Sequence, residues 1–153
     1  MIKGLDDKTL RDILGPTQFS ADGFLGKDPR DPEEIIKEDA ETLKKLGTTK
    51  EKMAAVLREV YILAERAMGN PVQVTEHVKA TYHEALGRIP SPYPNDGTFQ
   101  KGESLIEDGS TGRSCIATPL AIHLIEKYGF FQGKESKYRI DPETAMELLK
   151  GKF

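Results

Sequence analysis

The stretch Arg88-Ile89-Pro90-Ser91-Pro92-Tyr93-Pro94-Asn95-Asp96-Gly97 constrains this chain more than any other. Its three alternate prolines lack N–H donors, so it can be neither a helix interior nor a central strand. It reads as an extended connection, with helical patterns before it and hairpin patterns after it. At 153 residues the chain fits a single domain.

Asp31-Pro32-Glu33-Glu34 opens a helix, with Asp31 as N-cap, Pro32 at the first helical position and Glu34 reaching back. Its stripe is Ile35 or Ile36, Ala40, Leu43 and Leu46, and Gly47 ends it. Thr48, with Glu51 three residues on, reads as the next N-cap, and that helix runs to Met68. The short link predicts an antiparallel pair. Residues 1–30 carry a short helical pattern (Leu5, Leu10, Ile13, Leu14), closed by Gly15-Pro16, and then a loop rich in Gly, Asp and Pro; they are expected to form a flexible arm.

Residues 71–86 fit two templates. A helix would align Val74, Val78, Tyr82 and Ala85. A strand would put Val72, Val74, Val78, Ala80 and Tyr82 on one face and Gln73, Thr75, His77, Lys79, Thr81 and His83 on the other. The abundance of Val, Thr and Tyr favours strand. Beyond the prolines, 98–106 and 113–117 flank Asp108-Gly109, a hairpin signal. Thr118-Pro119 starts a helix with Leu120, Leu124, Ile125 and Tyr128 as its stripe and Gly129 as its stop. Residues 137–140 read as a short strand, and Asp141-Pro142 caps a last helix with Ala145, Leu148 and Leu149 inward. The expected fold is α+β: a helical N-terminal half, then a small antiparallel β-meander packed with one or two C-terminal helices.

Composition excludes several classes. Lys plus Arg number 22 against 25 Asp plus Glu, a net charge of −3, and residues 98–153 are neutral with eight of each sign. Neither figure is the footprint of a phosphate-backbone binder, so nucleic acid is disfavoured even though a hairpin before a helix also outlines a winged-helix wing. The single cysteine, Cys115, excludes an intramolecular disulfide, and no Cys-rich zinc pattern exists. The longest apolar run is the five residues 60–64, and the N-terminus lacks an apolar signal core, so no membrane span is expected and the protein is read as cytoplasmic. GxSxG, GxGxxG and HExxH are absent, and neither a metal nor a cofactor is expected.

Four features are candidates for chemistry. Ser110, Thr111, Arg113 and Ser114 have the composition of an anion-binding loop, without P-loop spacing. His77 and His83 are candidate proton carriers, although six residues of strand hold them roughly 20 Å apart. Cys115 could be activated by Arg113 or by the helix starting at Thr118, while Ile116 and Ala117 beside it favour simple packing. Tyr93 and Phe99, if exposed, are candidate anchors of a protein interface.

The stretch His123 to Pro142, HLIEKYGFFQGKESKYRIDP, resembles part of a group of small uncharacterised bacterial cytosolic proteins. The resemblance implies a bacterial cytosolic protein and brings no activity or site residue with it. Read whole, the sequence leads to a non-catalytic binding or regulatory module acting through protein–protein contacts or as a homodimer. The alternative is a small ligand-binding protein or enzyme holding an anionic group at Ser110–Ser114.

Overall fold

Capping chemistry sets the helix boundaries. A computed structural model describes residues 23–153. Helix α1 spans Pro32–Lys45 with Asp31 as N-cap residue and Pro32 in the first turn. Helix α2 spans Lys50–Arg66, and Thr49 rather than Thr48 caps it, its hydroxyl accepting from Lys52 N at 3.1 Å. Thr48 is taken by the preceding helix, its N–H bonding Leu43 O at 3.0 Å. The inward face of α1 also departs from the expected stripe: Ile35, Asp39 and Leu43 are buried and Ala40 is exposed.

Residues 71–86 are strand, but in two pieces. Strands β1 (Val72–Gln73) and β2 (Val78–His83) pair antiparallel around a turn in which Val74 N bonds Val78 O at 2.8 Å. The prolyl connection contributes only a separate ribbon, β3 (Arg88–Pro90) against β4 (Thr98–Gln100). Strands β5 (Glu103–Asp108) and β6 (Ser114–Ala117) complete a four-stranded antiparallel sheet of order β1-β2-β5-β6. In register, Ala80 lies opposite Ile106, which lies opposite Cys115, and all three are buried.

Helix α3 (Pro119–Tyr128) follows, capped by Thr118, whose Oγ1 accepts from Ala121 N, and ended by Gly129 in the left-handed region. The expected strand at 137–140 is instead a turn leading to helix α4 (Pro142–Leu148). The side chain of Arg139 explains the difference, because it bonds Asp39 on α1 and the carbonyl of Gln132 rather than lying along a sheet.

The sheet therefore has one covered face. Val78, Ala80, Ile106, Cys115 and Ala117 meet the apolar sides of α2, α3 and α4 in the main core. A smaller core joins Phe24, Leu25, Ile35, Tyr93, Leu120, Leu124 and Phe130, and the β3–β4 ribbon rests on it. The architecture is α+β with antiparallel sheets, and its helices are interspersed with strands rather than collected in an N-terminal half. No helix among the described residues is long and apolar enough to cross a membrane. The expected arm falls mostly outside the described residues; in its remainder Phe24 and Leu25 are buried, and Gly133 N bonds Phe24 O at 2.8 Å.

Arg139 forms a two-pronged pair with Asp39, Nη1 to Oδ2 and Nη2 to Oδ1 both at 2.9 Å, with side chains 12% and 6% exposed. Removing Asp39 leaves the largely buried guanidinium with only the half-exposed Asp141, 3.5 Å away, as counter-charge. Asp39→Ala is expected to lower unfolding free energy in urea by about 3 kcal/mol. A loss below about 1 kcal/mol, the range of an exposed pair, would show that the pair does not brace the fold.

Candidate functional site

The residues singled out from sequence lie in three separate places. At one end of the sheet, the β5–β6 turn contains Ser110, Thr111, Arg113 and Ser114. Asp108 Oδ1 accepts from Ser110 N at 2.7 Å, Ser110 Oγ at 2.6 Å and Thr111 N at 3.2 Å. These bonds hold the Asp108 carboxyl below its ordinary range. The amides expected to receive an external anion therefore already hold a carboxylate of the loop itself, while the guanidinium of Arg113 pairs with Glu147 on α4. His77 is near this turn, since its carbonyl accepts from Gly109 N at 2.9 Å. His83 closes the opposite end of β2, about 17 Å along the strand from Val78. The structure thus brings one of the two histidines to the loop and separates the other from it.

Tyr93 is a core residue rather than a surface anchor. It is 2% exposed, its ring stacks on Tyr128 at 3.9 Å between centroids, and Phe130 meets it edge-on at 6.5 Å. Phe99 is half-buried and lies over the His123 ring at 4.6 Å. Cys115 is buried against the helices, and burial pushes its thiol up to about 12, which favours packing over nucleophilic chemistry.

Sequence reasoning missed the polar cluster that holds the prolyl connection to α3. Asp96, within the prolyl connection, has a side chain only 1% exposed. It accepts from Ser91 Oγ at 2.7 Å and Lys127 Nζ at 2.6 Å, and lies 2.7 Å from His123 Nε2. This is not a Ser–His–Asp relay, because Ser91 and His123 both meet the carboxylate, and no hydroxyl-to-imidazole bond is formed. The cluster is a clamp on the β3–β4 ribbon.

Two open concavities lie near the end of β2. The first, about 590 Å³, is lined by Glu65, Met68, Gly69, Tyr82, His83, Glu84 and Gln100. It lies where β1 has stopped pairing with β2. Because Val78 O faces β1, period-two alternation turns the backbone N–H and C=O of Tyr82 to the same side. The β1–β2 register ends at Val72 opposite Ala80, and Tyr82 has no backbone partner on that side among the described residues. Met68 and Leu86, 86% and 89% exposed, flank this region, and Leu86 lines an adjoining hollow that shares Tyr82, Glu84 and Gln100. The Met68 backbone is itself left-handed, at φ 53°, and presents the side chain at the end of α2.

The second concavity, about 320 Å³, shares Gln100 with the first. Its apolar part includes Phe24, Ile89 and Leu120, and its polar part includes Lys101, Glu103, Gln132 and Tyr138. The Tyr138 hydroxyl donates to Glu103 Oε2 at 2.5 Å. Burial, and then this bond, push Tyr138 up to about 12. Lys101-Gly102-Glu103, two opposite charges across a glycine, was the visible sequence signal for this wall. Gly102 is required there, since a Cβ would stand 2.3 Å from the Tyr82 hydroxyl.

No family model matches the chain, and neither curated proteins nor solved structures give a match.

Burial by itself would raise the Asp96 carboxyl, but hydrogen bonds from Lys127, Ser91 and His123 outweigh it and set the group at about 2, below its ordinary 3.8. A depressed folded value stabilises the fold above the unfolded value, and that contribution fades as pH falls through the folded one. Asp96→Asn is therefore expected to cost about 2 kcal/mol near neutrality, with the difference from the native chain shrinking between about pH 4 and pH 2. A pH-independent difference in chemical denaturation would refute the clamp.

Proposed function

We propose that the chain is a non-catalytic protein-binding module that takes an extended, basic segment of a partner protein along the free end of β2. The observation that carries this reading is the unpaired Tyr82 backbone at the mouth of the larger concavity, between exposed Met68 and Leu86. An added strand would satisfy that N–H and C=O, and alternate side chains of the segment would rest on the two apolar flanks. Charge selects the segment: the concavity contains the carboxylates of Glu65 and Glu84, and the Arg88 guanidinium of the adjoining hollow is engaged with Thr98. Lys or Arg side chains of the partner are thereby favoured and acidic segments repelled. The large side chains left in water at this edge are the kind that contribute most when desolvated in an interface core.

This surface overlaps the polar strand face of 73–83 only at its His83 end. Tyr93 takes no part in it. The alternative of an external anion held at Ser110–Ser114 has less support, because Asp108 and Glu147 already occupy the donors.

A fluorescent peptide of alternating lysine and valine is the direct probe, read by anisotropy against its glutamate–valine counterpart. Saturable binding of the basic peptide is expected, weakened about tenfold by Leu86→Ser or by Glu65→Gln with Glu84→Gln, and diminished by salt. Equal binding of the two peptides, or none of either, would overturn the reading. Light scattering covers the remaining occupant: a dimer abolished by Met68→Ser and Leu86→Ser would place a second copy on this edge and also overturn it.

A further inference from the structure

The smaller concavity has features that a strand-binding edge does not require. Lys101 and Glu103 both line it, two residues apart, yet no ion pair joins them, and Lys101 has no ion-pair partner among the described residues. Cδ, Cε and Nζ of Lys101 all lie 4.0 Å from the position a Cβ would take on Gly87, so the side chain runs along the rim that this concavity shares with the adjoining hollow. The Glu103 carboxylate is oriented by Tyr138, with its Oε2 taken by the phenol at 2.5 Å. Its Oε1 makes no hydrogen bond among the described residues.

Gln132 adds a second, independent feature. Its side chain is polar and 4% exposed, and it lines the same concavity. Its Oε1 accepts from Ser136 Oγ at 2.9 Å, and its Nε2 makes no hydrogen bond among the described residues. The backbone is held at φ 73°, a left-handed conformation that a glutamine adopts only at a cost, and Arg139 grips its carbonyl at 2.7 Å. The fold thus maintains strain where it places an amide donor on a cavity wall.

The apolar part of the lining is Phe24 and Leu120 from the smaller core, Ile89 from β3 and Ala85, with Gln100 and Thr118 as further polar members. A volume of about 320 Å³ is at the lower limit of small-molecule sites, too small for a nucleotide and suited to a ligand of about ten heavy atoms. A buried amide donor, a cation, an oriented carboxylate and an apolar patch around one volume define complementary chemistry for a small zwitterion with one apolar substituent.

We propose that this concavity binds a free α-amino acid with a compact apolar side chain. Its carboxylate is received by Lys101 Nζ and Gln132 Nε2, its ammonium by Glu103, and its side chain by Phe24, Ile89 and Leu120. A peptide terminus presents only one of the two charges beside its apolar group, so the free amino acid is the ligand class that satisfies both charged groups. Binding here is separate from peptide binding at β2, although Gln100 borders both openings and Ala85 borders this one and the adjoining hollow.

Isothermal titration of the full chain with leucine and with phenylalanine tests the proposal, with N-acetyl-leucine and leucinamide as probes blocked at one charge. At least one free amino acid is expected to bind saturably, and blocking either charge is expected to weaken it by about tenfold or more. Lys101→Met and Glu103→Gln should reproduce those losses, the first for the carboxylate and the second for the ammonium. The blocked ligands act on the native chain, so the result stands even where a variant fails to fold. Absence of saturable heat for both amino acids, or equal binding of the free and blocked forms, would overturn the proposal.

Discussion

The pair between Asp39 and Arg139 is the contact on which the arrangement of the other elements depends. It joins helix α1 to the segment between α3 and α4, a hundred residues later in the chain. That segment has no strand partner to hold it. Its path is set instead by Arg139 reaching Asp39 and the Gln132 carbonyl, by Asp28 accepting from Lys134 N at 3.0 Å, and by the tight approach of Gly133 to Leu25. A Cβ on Gly133 would stand 2.1 Å from Leu25 O, so the two stretches of chain meet backbone to backbone. A charge pair this deep adds little net stability over an apolar substitute, but it rejects arrangements that leave either charge alone.

Positions rather than energies are what this bracing contributes to function. Gln132 and Tyr138 belong to the braced segment and form a wall of the smaller concavity, while Lys101 comes from the β4–β5 link, Glu103 from the first position of β5 and Leu120 from α3. Three stretches separate in sequence thus converge on one volume. The prolyl connection is fastened separately, by Asp96 to Ser91, His123 and Lys127, and through β3 it supplies Ile89 to the same volume. The larger opening arises differently, from a mismatch in strand length: β1 is two residues long and β2 six, so β2 outlasts its partner. Natural sheets usually blunt such an edge, and here it is left between two exposed apolar side chains.

Local chemistry was readable wherever one residue performs a local task. Thr118-Pro119 and Gly129 delimit α3 because an N-cap hydroxyl, a proline without a needed N–H and a glycine at positive φ act within one turn. Asp108-Gly109 marked the hairpin for the same reason. The expected cap at Thr48 failed by one residue because two adjacent threonines offer the same hydroxyl, and only the closing bond from Thr48 N to the end of α1 decides between them. Ala40 was expected inward because it is apolar, and Asp39 is inward because its partner is on another element.

The sequence by itself determined most of the elements, namely capped helices, a strand-forming 71–86, a DG hairpin and a prolyl break that no central strand could absorb, but not the turn at 137–140, where a strand was expected. Each follows from backbone sterics and period, which operate over a few residues. Tertiary structure alone decided which charges are used. It turned the Ser110–Ser114 donors onto Asp108, buried Tyr93 against Tyr128, paired Asp39 with Arg139, and left Lys101 and Glu103 unjoined on one wall. A charge finds its partner across space rather than along the chain, and nothing in the local pattern of either residue encodes that distance.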